Sequence, residues 1–161
     1  MASIPPALDS RGGTAHNTRV KPARIVLDTN VLIAGLRSRR GAAFRVLTFT
    51  GGGHFDIAVS VPLVLEYEAV AKAQSRAMGL TAREIDEILD YLVSVADCRS
   101  IFFLWRPYLK DPRDDMVLEV AVEAECQYIV TYNQRDFAGA DRFGVRIVTP
   151  REFLDMRGLL P

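Results

Sequence analysis

Four acidic residues carry the chemistry that this sequence can offer: Asp28, Glu66, Asp114 and Asp136. Asp28 directly follows the apolar run Arg24-Ile25-Val26-Leu27, and Glu66 lies one or two helical turns past Asp56-Ile57-Ala58-Val59-Ser60. Asp114 opens a helix at Asp111-Pro112-Arg113, and Asp136 stands just beyond Tyr128-Ile129-Val130-Thr131. If the apolar runs are parallel strands, distant segments bring carboxylates to one edge of a sheet, beyond the carboxyl ends of the strands where such folds bind ligands. Carboxylates within a few ångströms of one another cannot all ionise at neutral pH, because like charges raise each other's pKa. A bound cation removes the conflict. Oxygen donors without His or Cys suit a hard ion, so Mg²⁺ or Mn²⁺ is the expected cofactor. Such an ion polarises a phosphate oxygen, activates water and neutralises a leaving oxygen, and phosphodiester hydrolysis is the reaction class that fits.

Each acid also has an ordinary role open to it. Asp28 and Asp111 are favoured helix caps, while Glu66 and Asp136 suit a solvated surface. Spacing alone leaves a metal nuclease, a phosphatase and a phosphotransfer receiver in contention. A phosphatase of the haloacid dehalogenase type wants a second Asp two residues after its nucleophile, and Asn30 occupies that place.

The elements that must position these residues are legible as alternating strands and helices. Residues 1–22 mix Pro, Ser, Gly, Asn and Arg without apolar periodicity and read as a flexible extension ahead of one domain, 23–161. Strands are expected at 24–27, 56–60, 128–131 and 145–148, with the apolar run 101–105 a further strand or a buried coil. Helical pieces should follow Asp28 to about Gly51, and Pro62 starts a helix that reaches about Met78 before Gly79. Thr81-Ala82-Arg83-Glu84 and Thr149-Pro150-Arg151-Glu152 have the form of capping boxes for two more helices. This alternation predicts an α/β fold, a three-layer α/β/α sandwich around a mostly parallel sheet.

Composition sets outer bounds. The chain has 161 residues, 49% of them hydrophobic, enough for one core and too few for two ordinary domains. Twenty basic and twenty acidic residues cancel, so no global positive field draws in nucleic acid and a polyanion must be held locally. No run of about 18 apolar residues occurs and Met1 to Val20 lacks the apolar segment of a secretory signal, so a cytoplasmic protein with no membrane association is expected. Cys98 and Cys126 lack CxxC spacing and read as reduced thiols. Two histidines, His16 and His54, argue against His-rich zinc chemistry and against a Ser-His-Asp triad.

The segment Ile25-Val26-Leu27-Asp28-Thr29-Asn30-Val31-Leu32-Ile33 closely resembles the opening motif of PIN domains. Further matches follow in order: Ser60 with Glu66, then Asp111-Pro112-Arg113-Asp114-Asp115, then Thr131-Tyr132-Asn133-Gln134-Arg135-Asp136-Phe137. The tail Arg146 to Leu154 resembles bacterial members described as toxins of toxin-antitoxin systems, related to the VapC-like ribonucleases. This resemblance implies a Mg²⁺- or Mn²⁺-dependent endoribonuclease acting on RNA. It also implies a small antitoxin partner and a homodimer. It casts Asp28, Glu66, Asp114 and Asp136 as metal ligands or water activators, with Thr131, Asn133, Asn30 and Ser60 in support. One departure is Asn133, where many PIN domains carry Asp, so one anionic ligand is missing relative to them. The competing reading within the family is a catalytically silent PIN-like interaction module, against which the four retained acids count.

Around these motifs, Arg37, Arg39, Arg40, Arg113 and Arg135 are placed to contact RNA phosphates. Tyr67, Tyr132 and Phe137 offer rings for base stacking, with core packing the expected place of Phe137. Helical geometry points Glu66 inward with Leu63 and Val70, and pairs Glu68 outward with Lys72. By the same reasoning Asp114 borders the buried face of its helix, and Asp115 lies outward with Glu119 and Glu123.

Overall fold

The computed structural model describes residues 22–102 and 108–161, so the expected extension at 1–22 lies, except for its last residue, outside them. Five strands, β1 (Ala23–Leu27), β2 (Phe55–Val59), β3 (Asp97–Cys98), β4 (Tyr128–Val130) and β5 (Arg146–Val148), form one sheet in the order β3-β2-β1-β4-β5. Every pairing is parallel. Ile25, Val26 and Leu27 are wholly buried, although successive side chains of a strand point to opposite faces. Both faces of β1 are therefore covered, as a three-layer α/β/α sandwich requires. Each such aliphatic side chain contributes roughly 1.5–3 kcal/mol through burial.

Helices α1 (Thr29–Arg37) and α2 (Ala42–Phe49) follow β1. Gly35 sets their close approach: a Cβ there would stand 2.5 Å from Leu47 Cδ1 and 3.1 Å from the Ala43 carbonyl oxygen. Helix α3 (Val61–Ala73) starts where Ser60 Oγ accepts from the Leu63 N–H at 3.3 Å. The expected continuous helix to Met78 breaks at Gln74, and α4 (Ser75–Met78) closes on Gly79 at φ 67°. The amphipathic helix α5 (Ala82–Val95) begins with the Thr81–Glu84 capping box. The C-terminal α7 (Pro150–Met156) begins with the Thr149–Glu152 box and packs on α2.

The edge strand β3 is one that the sequence reading did not foresee: Asp97 and Cys98 pair with Ala58 and Val59, and the Arg99 N–H takes the Val59 carbonyl at 2.8 Å. Of the run 101–105, read as a strand or a buried coil, Ile101 and Phe102 lie outside any strand and 103–105 fall outside the described residues, which leaves one expectation to correct. On α6 (Pro112–Glu123), Asp115 and Glu119 do not face outward but are buried. The helix packs on β1, β2 and β4 and also on α3, and Asp115 Oδ1 accepts the Leu109 N–H at 2.8 Å from the segment crossing its first turn. A helix covered on several sides has no single polar face.

None of the described helices is long and apolar enough to cross a membrane. From β1 the chain builds outward through β2 to β3, then returns to lay β4 and β5 on the other side of β1. Between β1 and β4 the order reverses, which opens a crevice at their carboxyl ends. Asp28 and Thr131 are the residues that follow those two strands.

Candidate active site

Asp28 occupies the N-cap position of α1, yet its side chain makes no capping bond. Its Oδ2 instead accepts a 2.7 Å hydrogen bond from Thr131 Oγ1, with both residues buried. The Thr131 hydroxyl oxygen also accepts the Asn133 N–H at 3.0 Å and Asn30 Nδ2 at 3.5 Å. With two donors pointed at its oxygen, the single hydroxyl proton is directed to Asp28. Asn30 Oδ1 in turn accepts the Tyr132 N–H at 3.3 Å, tying the start of α1 to the segment after β4. Burial pushes the Asp28 carboxyl up, the Thr131 hydroxyl and the Thr29 backbone offset part of this, and the Asp136 and Asp111 charges add to it.

Glu66 is set by its neighbour. Tyr67 is wholly buried, and its hydroxyl donates to the Leu27 carbonyl at the end of β1, which fixes the rotation of α3 and turns Glu66 into the crevice. Glu68 lies elsewhere and pairs with Lys72 at 3.1 Å. Asp114 enters from the first turn of α6, and Asp136 from a 3-10 turn, Gln134–Phe137. Asp28, Glu66, Asp114 and Asp136 thus line one cleft of about 410 Å³, with Asn30 and Asn133 beside them.

The charges of the cleft act on one another. The Asp114 carboxyl is pushed up to about 7, first by burial and then by the charges of Asp28, Asp111 and Asp136. Glu66 is also raised by burial and by Asp111 and Asp28, against the opposing pull of Arg113. Asp111, read from the sequence as a cap, does cap α6 by accepting the Arg113 N–H at 2.9 Å, and it lines the cleft as well. The Asp-Pro-Arg-Asp run held that signal, since a Pro at the first helical position leaves both flanking acids beside the helix mouth.

The supporting residues divide. Arg37 lines the cleft and donates to Gln74, a cleft residue that sequence reasoning missed because it lies at an unforeseen break between α3 and α4. Arg113 sits at the rim, bonded to Asp111 at 3.1 Å. Arg135 is exposed and is not among the cleft residues, and Ser60 acts on α3 rather than in the cleft. Tyr67 and Phe137 are buried, so neither ring is available for stacking, whereas Tyr132 is 46% exposed.

As a seat for a cation, the cleft offers carboxylate oxygens that repel one another until a positive charge joins them. Among the described residues, no three ligand-type side chains are gathered closely enough to chelate an ion as they stand. The donor chemistry nevertheless fits Mg²⁺ or Mn²⁺, because a hard ion of this kind keeps several waters and needs only one or two direct carboxylates beside its substrate phosphate.

A family model described as the PIN domain matches residues 24–135. The match runs from β1 through Asp28, Glu66 and Asp114 and stops one residue short of Asp136. No curated protein matches the chain.

Proposed function

The chain belongs to the PIN-domain family, whose members are typically nucleases, and from that premise we propose that it is a Mg²⁺- or Mn²⁺-dependent endoribonuclease. The observation that carries this reading is the single cleft where the sheet reverses order, lined by Asp28, Glu66, Asp114 and Asp136, with Asp114 raised to about 7. Those four carboxylates would hold the divalent ion. When bound, the ion polarises a phosphodiester oxygen, makes a water acidic and neutralises the leaving oxygen.

The chain's own residues do the rest. Thr131 orients Asp28 through its hydroxyl, as the partner behind a metal ligand commonly does. Asp114, raised to about 7 in the metal-free protein, would give up its proton where positive charge is bound, while burial raises Asp28 and Glu66 in the same direction. A cleft carboxylate then takes the proton of the attacking water, whose oxygen bonds to phosphorus as the bond to the leaving oxygen breaks. Arg37 and Arg113 stand where flanking phosphates would pass.

The biological role we propose is that of a cytoplasmic toxin paired with a small antitoxin, acting as a homodimer. It rests on the resemblance of the tail Arg146 to Leu154. A silent PIN-like module is the second reading, supported by Asn133 in place of Asp and by the absence of a gathered ligand trio among the described residues. Incubation of the purified protein with a mixed RNA pool in Mn²⁺, Mg²⁺ or chelator, with mapping of the cut ends, separates the two. Internal cuts that need the divalent ion support the enzyme; an intact pool under all conditions supports the silent module.

A further inference from the structure

A second cleft, of about 470 Å³, lies between the α1–α2 turn, α2 and the C-terminal segment, and arginines dominate its lining: Arg39, Arg40, Arg45 and Arg151, with Gly41 and Phe44. Among the described residues, no acidic side chain lines it. Four arginines elsewhere meet carboxylates, Arg24 and Arg99 at Asp97, Arg83 at Glu87 and Arg113 at Asp111, while Arg37 donates to Gln74 and Arg157 to the His54 carbonyl. Arg39, Arg40 and Arg151 are exposed, and among the described residues none of them has an ion-pair partner. The chain's basic and acidic residues cancel, so this concentration of positive charge is local and not the edge of a general excess.

The cleft is also built. Arg45 Nε donates to the Leu159 carbonyl at 2.6 Å, and its guanidinium stands 5.3 Å from the Phe49 ring centre, which holds the cation in place before any ligand comes. Gly41 is the N-cap of α2 and offers no side-chain bond, and a Cβ there would meet nothing within 4 Å. The N-terminal end of α2, through Gly41 and Ala42, therefore lines the same space as the guanidiniums, an arrangement suited to an anion.

We propose that this arginine cleft is a second binding subsite, which grips the phosphodiester backbone of single-stranded RNA whose neighbouring segment occupies the acidic cleft. The inference rests on the nuclease reading for the identity of its ligand. Two physical facts carry it. First, the acidic cleft sets only Arg37 and Arg113 against Asp28, Glu66, Asp111, Asp114 and Asp136, so positive charge outside it adds to the hold on a polyanion. Second, α1 joins the two clefts: Asn30, Ile33, Ala34 and Arg37 line the acidic one, and Arg39 and Arg40 at the helix exit line the basic one. At 1.5 Å per residue, Asn30 and Arg37 are separated by roughly 10 Å along α1, and Arg39 stands two residues past the helix end, a span that a short stretch of backbone covers. Guanidinium forks bind phosphate oxygens in pairs, and the half-buried Phe44 ring offers an adjoining face for a base.

The test is RNA binding by fluorescence anisotropy, on a background of Asp114→Asn so that the labelled single-stranded RNA stays intact. Adding Arg39→Gln, Arg40→Gln and Arg151→Gln together is expected to weaken binding roughly tenfold or more and to lower the slope of log affinity against log salt by about 2, at about 0.7 for each phosphate no longer neutralised. The matching triple change to Lys retains the charge and is expected to keep most of the slope. Unchanged affinity and slope in the Gln variant overturn the subsite, as does tighter capture of poly-glutamate than of RNA, which would make the cleft a seat for an acidic protein. Parallel cleavage by the unsubstituted protein separates the two claims. Cleavage with unaffected binding removes the subsite alone, and lost binding without any cleavage removes the nuclease reading alone.

Discussion

Thr131 and Asp28 meet across the two strands between which the sheet reverses its order, the threonine hydroxyl donating to the buried carboxylate at 2.7 Å. Because that hydroxyl oxygen already accepts from Asn133 and Asn30, it has one proton and one direction in which to give it. Thr131→Val keeps the shape and removes the donor. The Asp28 carboxyl should then rise further, because the hydroxyl's pull on it is gone. Cleavage or metal affinity should fall by roughly 10–100-fold, the usual cost of losing the partner behind a metal ligand. Thr131→Ser should restore most of it. Single-turnover rates for the three proteins decide, and a Val variant as active as the parent removes this hydrogen bond from the mechanism.

Glu66 and Glu68 offer a second contrast on one helix. Glu66 opens into the cleft, while Glu68 is engaged with Lys72, which also holds Asp86 at 2.8 Å. Glu66→Gln should raise the Mn²⁺ concentration needed for half-maximal cleavage. Glu68→Gln should leave cleavage as it is and move the melting temperature little, as loss of an exposed ion pair does. The opposite ranking would mean that the Tyr67 anchor does not set the rotation of α3.

Asp114 and Asp115 should separate chemistry from folding. Asp115 is wholly buried and accepts the Leu109 N–H, so Asp115→Ala leaves a buried donor without its acceptor at a cost of roughly 1–3 kcal/mol. Urea unfolding should register that loss. Asp114→Asn should instead abolish metal-dependent cleavage while the domain stays folded. If Asp115→Ala proved neutral in stability, the Asp115 carboxylate would not be what holds the segment around Leu109 to α6.

The pH dependence of the metal-free protein follows from Asp114. Its carboxyl, ordinarily near 3.8, stays protonated in the fold up to about 7, so the folded state binds more protons than the unfolded chain through that window. Stability therefore falls as pH rises from the lower value to the higher one, and the penalty is complete above it. Asp114→Asn should flatten this decline and stabilise the metal-free protein near pH 8 by about 1 kcal/mol, a figure reduced for the group's partial solvent exposure. Thermal melts in chelator across the range provide the check. Calorimetry of Mn²⁺ binding in buffers of different ionisation enthalpy should in addition detect protons released on binding, fewer at alkaline pH.

Much of this architecture was open to sequence reasoning because its signals are local. The run Ile25-Val26-Leu27 needs burial on both faces, Thr81 with Glu84 forms its capping box, and Pro62 and Pro112 fit first helical turns. The four acids could be singled out because each follows or opens a recognisable element. What escaped depends on neighbours distant in sequence. β3 is two residues long and exists only because β2 offers it a ladder. A helical wheel points Asp115 and Glu119 outward because it assumes one buried face, whereas α6 lies on the sheet and against α3. Asp28 sits where a cap would sit, and only the position of Thr131, 103 residues away, reveals that its side chain is turned to another use.

The central claim is that Asp28, Glu66, Asp114 and Asp136 act together as one divalent-dependent site for cutting RNA. The most direct measurement is the single-turnover cleavage rate of single-stranded RNA as a function of Mn²⁺ concentration, for the parent protein and for Asp28→Asn, Glu66→Gln, Asp114→Asn and Asp136→Asn, each first verified as folded. The parent should cut in Mn²⁺ and stop in chelator. Asp28→Asn and Asp114→Asn should lose roughly a hundredfold or more in rate, the scale on which removal of a single charge-stabilising group is felt. Glu66→Gln and Asp136→Asn should need more Mn²⁺ to reach a given rate. Cleavage that persists in chelator, or an Asp114→Asn protein that cuts at the parent rate, would contradict the account.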